Sequence, residues 1–207
     1  MLALGLQVLL VLAVKAHNPY QAANQLDLRP TIMRLLSYLR YRWLHLPIRQ
    51  EVAAAHLRDL HHILGQCRIH FWLTEGTALG AIREGRVIPT DTDIDIGIRS
   101  KDRPTLERRA LPLLQRRGFV VWKRAPHLIS IVKSYLCVDI MCAHPGGHCI
   151  DMPCDQYLPL VRPDRLQRVR MYGLEFWAPP IAYLERVYGQ DWRTPRHQWK
   201  PTYNSDE

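Results

Sequence analysis

The stretch FWLTEGTALGAIREGRVIPTDTDIDIGI, Phe71 to Ile98, decides the fold. It closes on acids at alternate positions, Asp91, Asp93 and Asp95, the last two interleaved with Ile94, Ile96 and Ile98. Strand side chains alternate between faces, so acids two residues apart point the same way, roughly 6 to 7 Å apart, and the isoleucines turn toward a core. Carboxylates brought to about 4 Å repel by about 4 kcal/mol at an effective dielectric of about 20. A strand that buries such a pair therefore calls for a cation between them. Hard divalent ions such as Mg²⁺ or Mn²⁺ suit carboxylate oxygens and keep positions open for substrate phosphates. The competing reading is an acidic loop-to-strand junction that stays in water; the isoleucines favour the strand.

Upstream, Ile69, Phe71, Trp72 and Leu73 read as a strand, and Gly76-Thr77-Ala78-Leu79-Gly80 opens a short helical pattern. A strand followed by Gly-Thr and a helix start offers backbone N–H groups, a hydroxyl and the positive helix end to a phosphate. A lone Gly-Thr is usually a turn; an Asp-x-Asp strand 17 positions later gives it weight.

That arrangement is similar to the nucleotidyltransferase superfamily. Trp72-Leu73, Glu75-Gly76-Thr77-Ala78-Leu79-Gly80, Arg83, Ile88-Pro89 and Asp91-Thr92-Asp93-Ile94-Asp95-Ile96 resemble the LicD/fukutin family, with later support from Val138-Asp139-Ile140 and from Tyr183-Leu184 with Tyr188-Gly189-Gln190-Asp191-Trp192. Thr90 stands where that family usually has Trp, and Ala78 where it usually has Leu. Both bear on pocket shape rather than on the acids.

The resemblance implies an α+β fold, a nucleotidyltransferase-like mixed sheet flanked by helices, in a single domain with N-terminal helices. It implies a metal-dependent phosphotransferase in which Asp93, Asp95 and Asp139 hold Mg²⁺ or Mn²⁺. Gly76 and Thr77 would cradle the phosphates of a CDP-linked donor, and Arg83 would neutralise their charge. Asp91 would be either the base for an attacking glycan hydroxyl or an acid that steers the ligands. The group moved would be phosphocholine or an alditol phosphate. Two other readings remain open: transfer of the nucleotide itself, and a basic binding module of the same fold without turnover.

The length of 207 residues suits one domain with short extensions, and 47% hydrophobic residues suit a packed core. The net charge of +9 fits nucleic acid, an anionic membrane or anionic small substrates. The arginines are scattered rather than gathered in a tract, so nucleic acid is not favoured. Leu2 to Val14 is apolar apart from Gln7, too short for a comfortable membrane span of about 20 residues. It fits a signal peptide over residues 1–16 or a short signal-anchor, which would place the protein in the Golgi or endoplasmic reticulum lumen or on its membrane. The alternative is a core helix of a cytoplasmic protein. Five cysteines cannot all pair. Cys142, His144, His148, Cys149 and Cys154 have spacing that suits either Zn²⁺ or a disulfide such as Cys142–Cys154.

In order, residues 17–66 read as a linker and two helices, one opened by Pro30 and one carrying Val52, Leu57, Leu60, Ile63 and Leu64. His56, His61 and His62 are expected on solvated helix surface. Residues 67–192 are expected to form the catalytic domain and 193–207 a polar tail. Ser100 is placed to cap a helix to about Gln115, bent at Pro112. Strand-like runs follow at Phe119 to Trp122, Leu128 to Val132 and Tyr135 to Met141. Last come a hairpin around Tyr172-Gly173 and a helix after Pro180 that Gly189 ends. Asp139, an acid among apolar residues, must be paired, protonated or metal-bound if buried.

Overall fold

The computed structural model describes residues 47–143 and 165–195. Helix α1 (Gln50–Gln66) buries Ala53, His56, Leu57, Leu60 and Leu64, a stripe at helical spacing. The chain reverses through Arg68, at φ +57°, into β1 (Phe71–Leu73). Helix α2 (Glu75–Glu84) follows one residue later and ends at Gly85, whose φ of +66° is the left-handed stop that glycine adopts cheaply. The turn Pro89-Thr90, closed by the Asp91 N–H donating to the Ile88 carbonyl, leads into β2 (Asp93–Arg99).

The helix expected from Ser100 forms in pieces. A 3-10 turn (Ser100–Asp102), helix α3 (Arg103–Thr105), a π stretch (Leu106–Ala110) and helix α4 (Leu111–Arg116) run on from one another. Arg99 rather than Ser100 stands at the first N-cap. Pro112 is the second residue of α4, and the irregularity lies before it, in the π stretch. Strands β3 (Val120–Ala125), β4 (Leu128–Lys133) and β5 (Leu136–Ala143) then build a meander.

The five strands pair in the order β1-β2-β5-β4-β3. All neighbours are antiparallel except β2 and β5, whose parallel pairing sets Asp95 opposite Asp139 and Asp93 opposite Cys137. This is the expected α+β architecture with a mixed sheet. One face carries Ile94, Ile96, Ile98, Val138 and Ile140, all 0% exposed, against α1, the π stretch and α4. His56 joins this core beside Phe119, contrary to the expectation of a solvated histidine; its stripe position between Ala53 and Leu60 is the reason.

A second two-stranded sheet, β6 (Gln167–Met171) and β7 (Leu174–Ala178), turns through Tyr172 and Gly173, both at positive φ, as expected for a tight hairpin. Helix α5 (Ile181–Tyr188) brings Tyr183, Leu184, Val187 and Tyr188 onto the other side of the large sheet, where they pack with Trp72, Leu79 and Trp192. Gly97 lets Trp72 lie on that face: a Cβ there would sit 2.4 Å from the indole. Among the described residues no helix is long and apolar enough to cross a membrane. The expected signal segment, the helix after Pro30 and the tail beyond residue 195 lie outside the described residues.

Candidate metal centre and adjoining cleft

The face of β2 and β5 turned away from the isoleucine core carries Asp93 and Asp95 on one strand and Asp139 on its parallel neighbour. Paired residues of adjacent strands project the same way, so all three acids converge. One oxygen from each lies within 4.8 Å of the other two. This convergence follows from a one-residue pattern: acids at alternate positions, isoleucines between them, and register Asp95–Asp139 across the ladder.

The electrostatics are those of surplus negative charge. Burial, then the charges of Asp91 and Asp139, push Asp93 up to about 7, against an ordinary 3.8. Asp95 is only 8% exposed; burial holds its carboxyl well above the usual range, and Asp93, Asp91, Glu75 and Asp139 add to the effect. No lysine or arginine pairs with the three acids among the described residues. The Asp139 carboxylate accepts instead from the Cys137 thiol, Sγ to Oδ1 3.4 Å, so the alternative of an ion-paired Asp139 does not hold there. Three oxygen donors, crowded and without a counter-cation, fit a hard divalent ion.

Asp91, expected as the first acid of the strand, lies instead in the turn before it. Its Oδ1 accepts from the Thr92 N–H at 3.0 Å. A Cβ at Gly76 would stand 2.1 Å from Asp91 Oδ2, so bare glycine backbone admits that carboxylate to the first turn of α2. Thr77 is placed otherwise than a phosphate cradle requires. Its side chain is 0% exposed, and its hydroxyl accepts from the Asp95 N–H at 2.8 Å, bracing β2 against α2. Arg83 is clamped by Glu84, with Nε and Nη2 at 3.0 and 2.6 Å from one carboxylate oxygen, while Nη1 reaches the Trp192 carbonyl at 3.5 Å. It lines a cleft of about 830 Å³ that Asp95, Asp91, Gly76 and the segment Asp191 to Pro195 also line.

Two further residues belong to this region, Glu75 and Tyr183. Glu75 lines the cleft beside Asp91 and Asp95, and its Oε1 accepts from the Tyr183 hydroxyl at 2.9 Å. Burial raises the Glu75 carboxyl above the usual range. Glu75 falls inside the motif that drew attention, but its partner lies 108 positions away, beyond any local pattern.

Of the proposed zinc set, Cys142 is 1% exposed and turned into the isoleucine core, away from the acids. His144, His148, Cys149 and Cys154 lie outside the described residues.

Residues 68–141 match the family model LicD/FKTN/FKRP, nucleotidyltransferase domain. An uncharacterized protein of Rickettsia typhi is 34% identical over 140 residues, covering 64% of this chain and 44% of its own length. Another from Rickettsia prowazekii is 37% identical over 89 residues, covering 42% and 32%. Ribitol 5-phosphate transferase FKRP of Homo sapiens is 37% identical over 67 residues, 30% of this chain and 13% of that protein. The chain thus spans less than half the length of the curated relatives it matches. Among solved structures, the antibiotic-resistance factor ANT(2'')-Ia is similar with a TM-score of 0.48 and 15% identity, covering 73% of this chain and 78% of that one. Residues 68–141, which carry the acid-bearing strands β2 and β5, are thus the part of the chain that matches the LicD/fukutin nucleotidyltransferase domain.

Proposed function

We propose that the protein is a metal-dependent transferase that moves a phosphate-linked group from a CDP-linked donor to a glycan hydroxyl. The observation that carries this reading is the meeting of Asp93, Asp95 and Asp139 oxygens within 4.8 Å of one another. The similarity to a ribitol 5-phosphate transferase over 67 residues supports the class of group moved.

On this reading Asp93, Asp95 and Asp139 hold one or two Mg²⁺ or Mn²⁺ ions. Such ions supply charge stabilisation for the attacking and leaving oxygens of a displacement at phosphorus. The chain's own residues do the rest. The Thr77 hydroxyl fixes the backbone of Asp95, and so the direction of its carboxylate, without touching a phosphate. Arg83, already bound to Glu84, gives the cleft a fixed guanidinium suited to a donor's diphosphate. Leu79, Ile88 and Pro89 offer the donor an apolar wall. The apolar segment Leu2 to Val14 supports work in the secretory pathway, on glycans that mature there.

The test is release of CMP from CDP-choline, CDP-ribitol and CDP-glycerol, each supplied separately with Mn²⁺ and a glycan mixture. One donor should give CMP, and EDTA should stop it. No CMP from any donor, or pyrophosphate release from CTP in its place, would contradict the proposal.

A further inference from the structure

Glu75 carries a feature that packing does not explain. It is the first residue of α2, yet its φ is +45°, in the left-handed region that glycine occupies at little cost. A non-glycine residue there stores backbone strain, of the kind that persists where the surrounding structure holds it in place. Tyr183 does the holding. Its hydroxyl donates to Glu75 Oε1 at 2.9 Å and stands 3.4 Å from the Thr74 hydroxyl. Tyr183 itself is 1% exposed and packed among Trp72, Leu184 and Trp192, so the clamp is rigid.

The clamp takes one oxygen of the carboxylate. The other, Oε2, has no hydrogen-bond partner among the described residues, and Glu75 lines the cleft next to Asp91 and Asp95. Glu75 stands outside the group of three acids whose oxygens share one centre. The carboxylate is thus a fourth acid, oriented by α5 and opening onto the space where a ligand would meet the metal centre. Of the other acids that line the cleft outside that group, Glu84 is bound to Arg83, and Asp91 has Oδ1 bound to the Thr92 N–H and its carboxylate pressed on Gly76.

From this geometry we infer that Glu75 is the base of the transfer, taking the proton of the acceptor hydroxyl on Oε2 while Tyr183 fixes Oε1. The inference rests on the proposed transferase reading. The acceptor oxygen forms a bond to the phosphorus of the transferred group, and the bond from that phosphorus to the bridging oxygen breaks. CMP departs with the bonding electrons, and the hydroxyl proton ends on Glu75. A carboxyl raised by burial suits the role, since a base works best with a pKa nearer the working pH.

Glu75→Gln keeps the shape and the acceptor oxygen for Tyr183 but cannot take the proton. With whichever CDP donor the wild type uses, kcat for CMP release should fall more than tenfold. The donor KM and the Mn²⁺-induced rise in melting temperature should stay at wild-type values. Glu75→Gly, which suits the positive φ, is the second variant and should show the same loss with an unchanged or higher melting temperature in EDTA. A kcat within tenfold of wild type in either variant would overturn the inference. So would loss of the Mn²⁺ shift in a variant that melts normally in EDTA, because Glu75 would then be a ligand. A wild type that shows the Mn²⁺ shift but releases no CMP overturns the transferase reading, and this inference with it, before any variant is compared.

Discussion

Asp93→Asn removes one carboxylate from a site where, among the described residues, no lysine or arginine pairs with the acids. In the fold, burial and the charges of Asp91 and Asp139 place the Asp93 pKa at about 7, against 3.8. Between those values the native state holds a proton that the unfolded chain has lost. Stability of the metal-free protein therefore falls as pH rises from about 4 to 7. At about 1.4 kcal/mol for each pH unit of that gap, the ionised group costs the fold about 4 kcal/mol above pH 7. Asparagine has nearly the same shape and no charge. Urea unfolding in EDTA, followed by tryptophan fluorescence, should find Asp93→Asn more stable than wild type by about 2 to 4 kcal/mol at pH 7.5 and equal to it at pH 4. Millimolar Mn²⁺ should reverse the order at pH 7.5, because the metal binds only the deprotonated, complete ligand set. A mutant no more stable than wild type at pH 7.5 in EDTA would refute the claim that burial and the neighbouring acids disfavour the ionised Asp93 in the fold.

Thr77→Val keeps the volume but leaves the Asp95 N–H without its acceptor inside the fold; urea unfolding should show a loss of about 1 to 3 kcal/mol. His56 works in the opposite direction to the acids. Burial, with the charge of Lys133, pushes it down to about 4, so the stability it leaves to the fold is complete above pH 6.5 and is lost as pH falls toward 4. His56→Leu should therefore shift the stability at pH 5 relative to that at pH 7 upward by about 2 kcal/mol compared with wild type, measured by unfolding at each pH. An unchanged slope would contradict this.

Strands β2 and β5 were legible because isoleucines and acids alternate with the strand period, and the same alternation predicts which face holds the acids. Helix α5 and its stop at Gly189 were legible from spacing and glycine. What escaped reading depends on partners distant in sequence. Thr77 sits in a motif that suggests phosphate, yet its hydroxyl is spent on the backbone of a strand 18 residues on. The role of Glu75 appears only when α5 brings Tyr183 across the sheet. His56 had a signal, since Ala53, Leu57, Leu60 and Leu64 define a stripe that includes it. The broken helix after Ser100 had none beyond Pro112, because a π stretch answers to packing of Leu106 and Ala110 rather than to local propensity.

The central claim is that Asp139, from β5, completes a metal site with Asp93 and Asp95. Its most direct test is melting of Asp139→Asn and wild type in EDTA and in millimolar Mn²⁺. A buried acid that serves an ion pair costs about 3 to 5 kcal/mol when it is lost, through the charge left stranded. Among the described residues the Asp139 carboxylate has the Cys137 thiol as its one hydrogen-bond partner and no cation, so the mutant should melt near wild type in EDTA. Its rise in Mn²⁺ should be much smaller, since that gain follows the metal's affinity. A mutant badly destabilised in EDTA, with the Mn²⁺ rise of the wild type, would contradict the account.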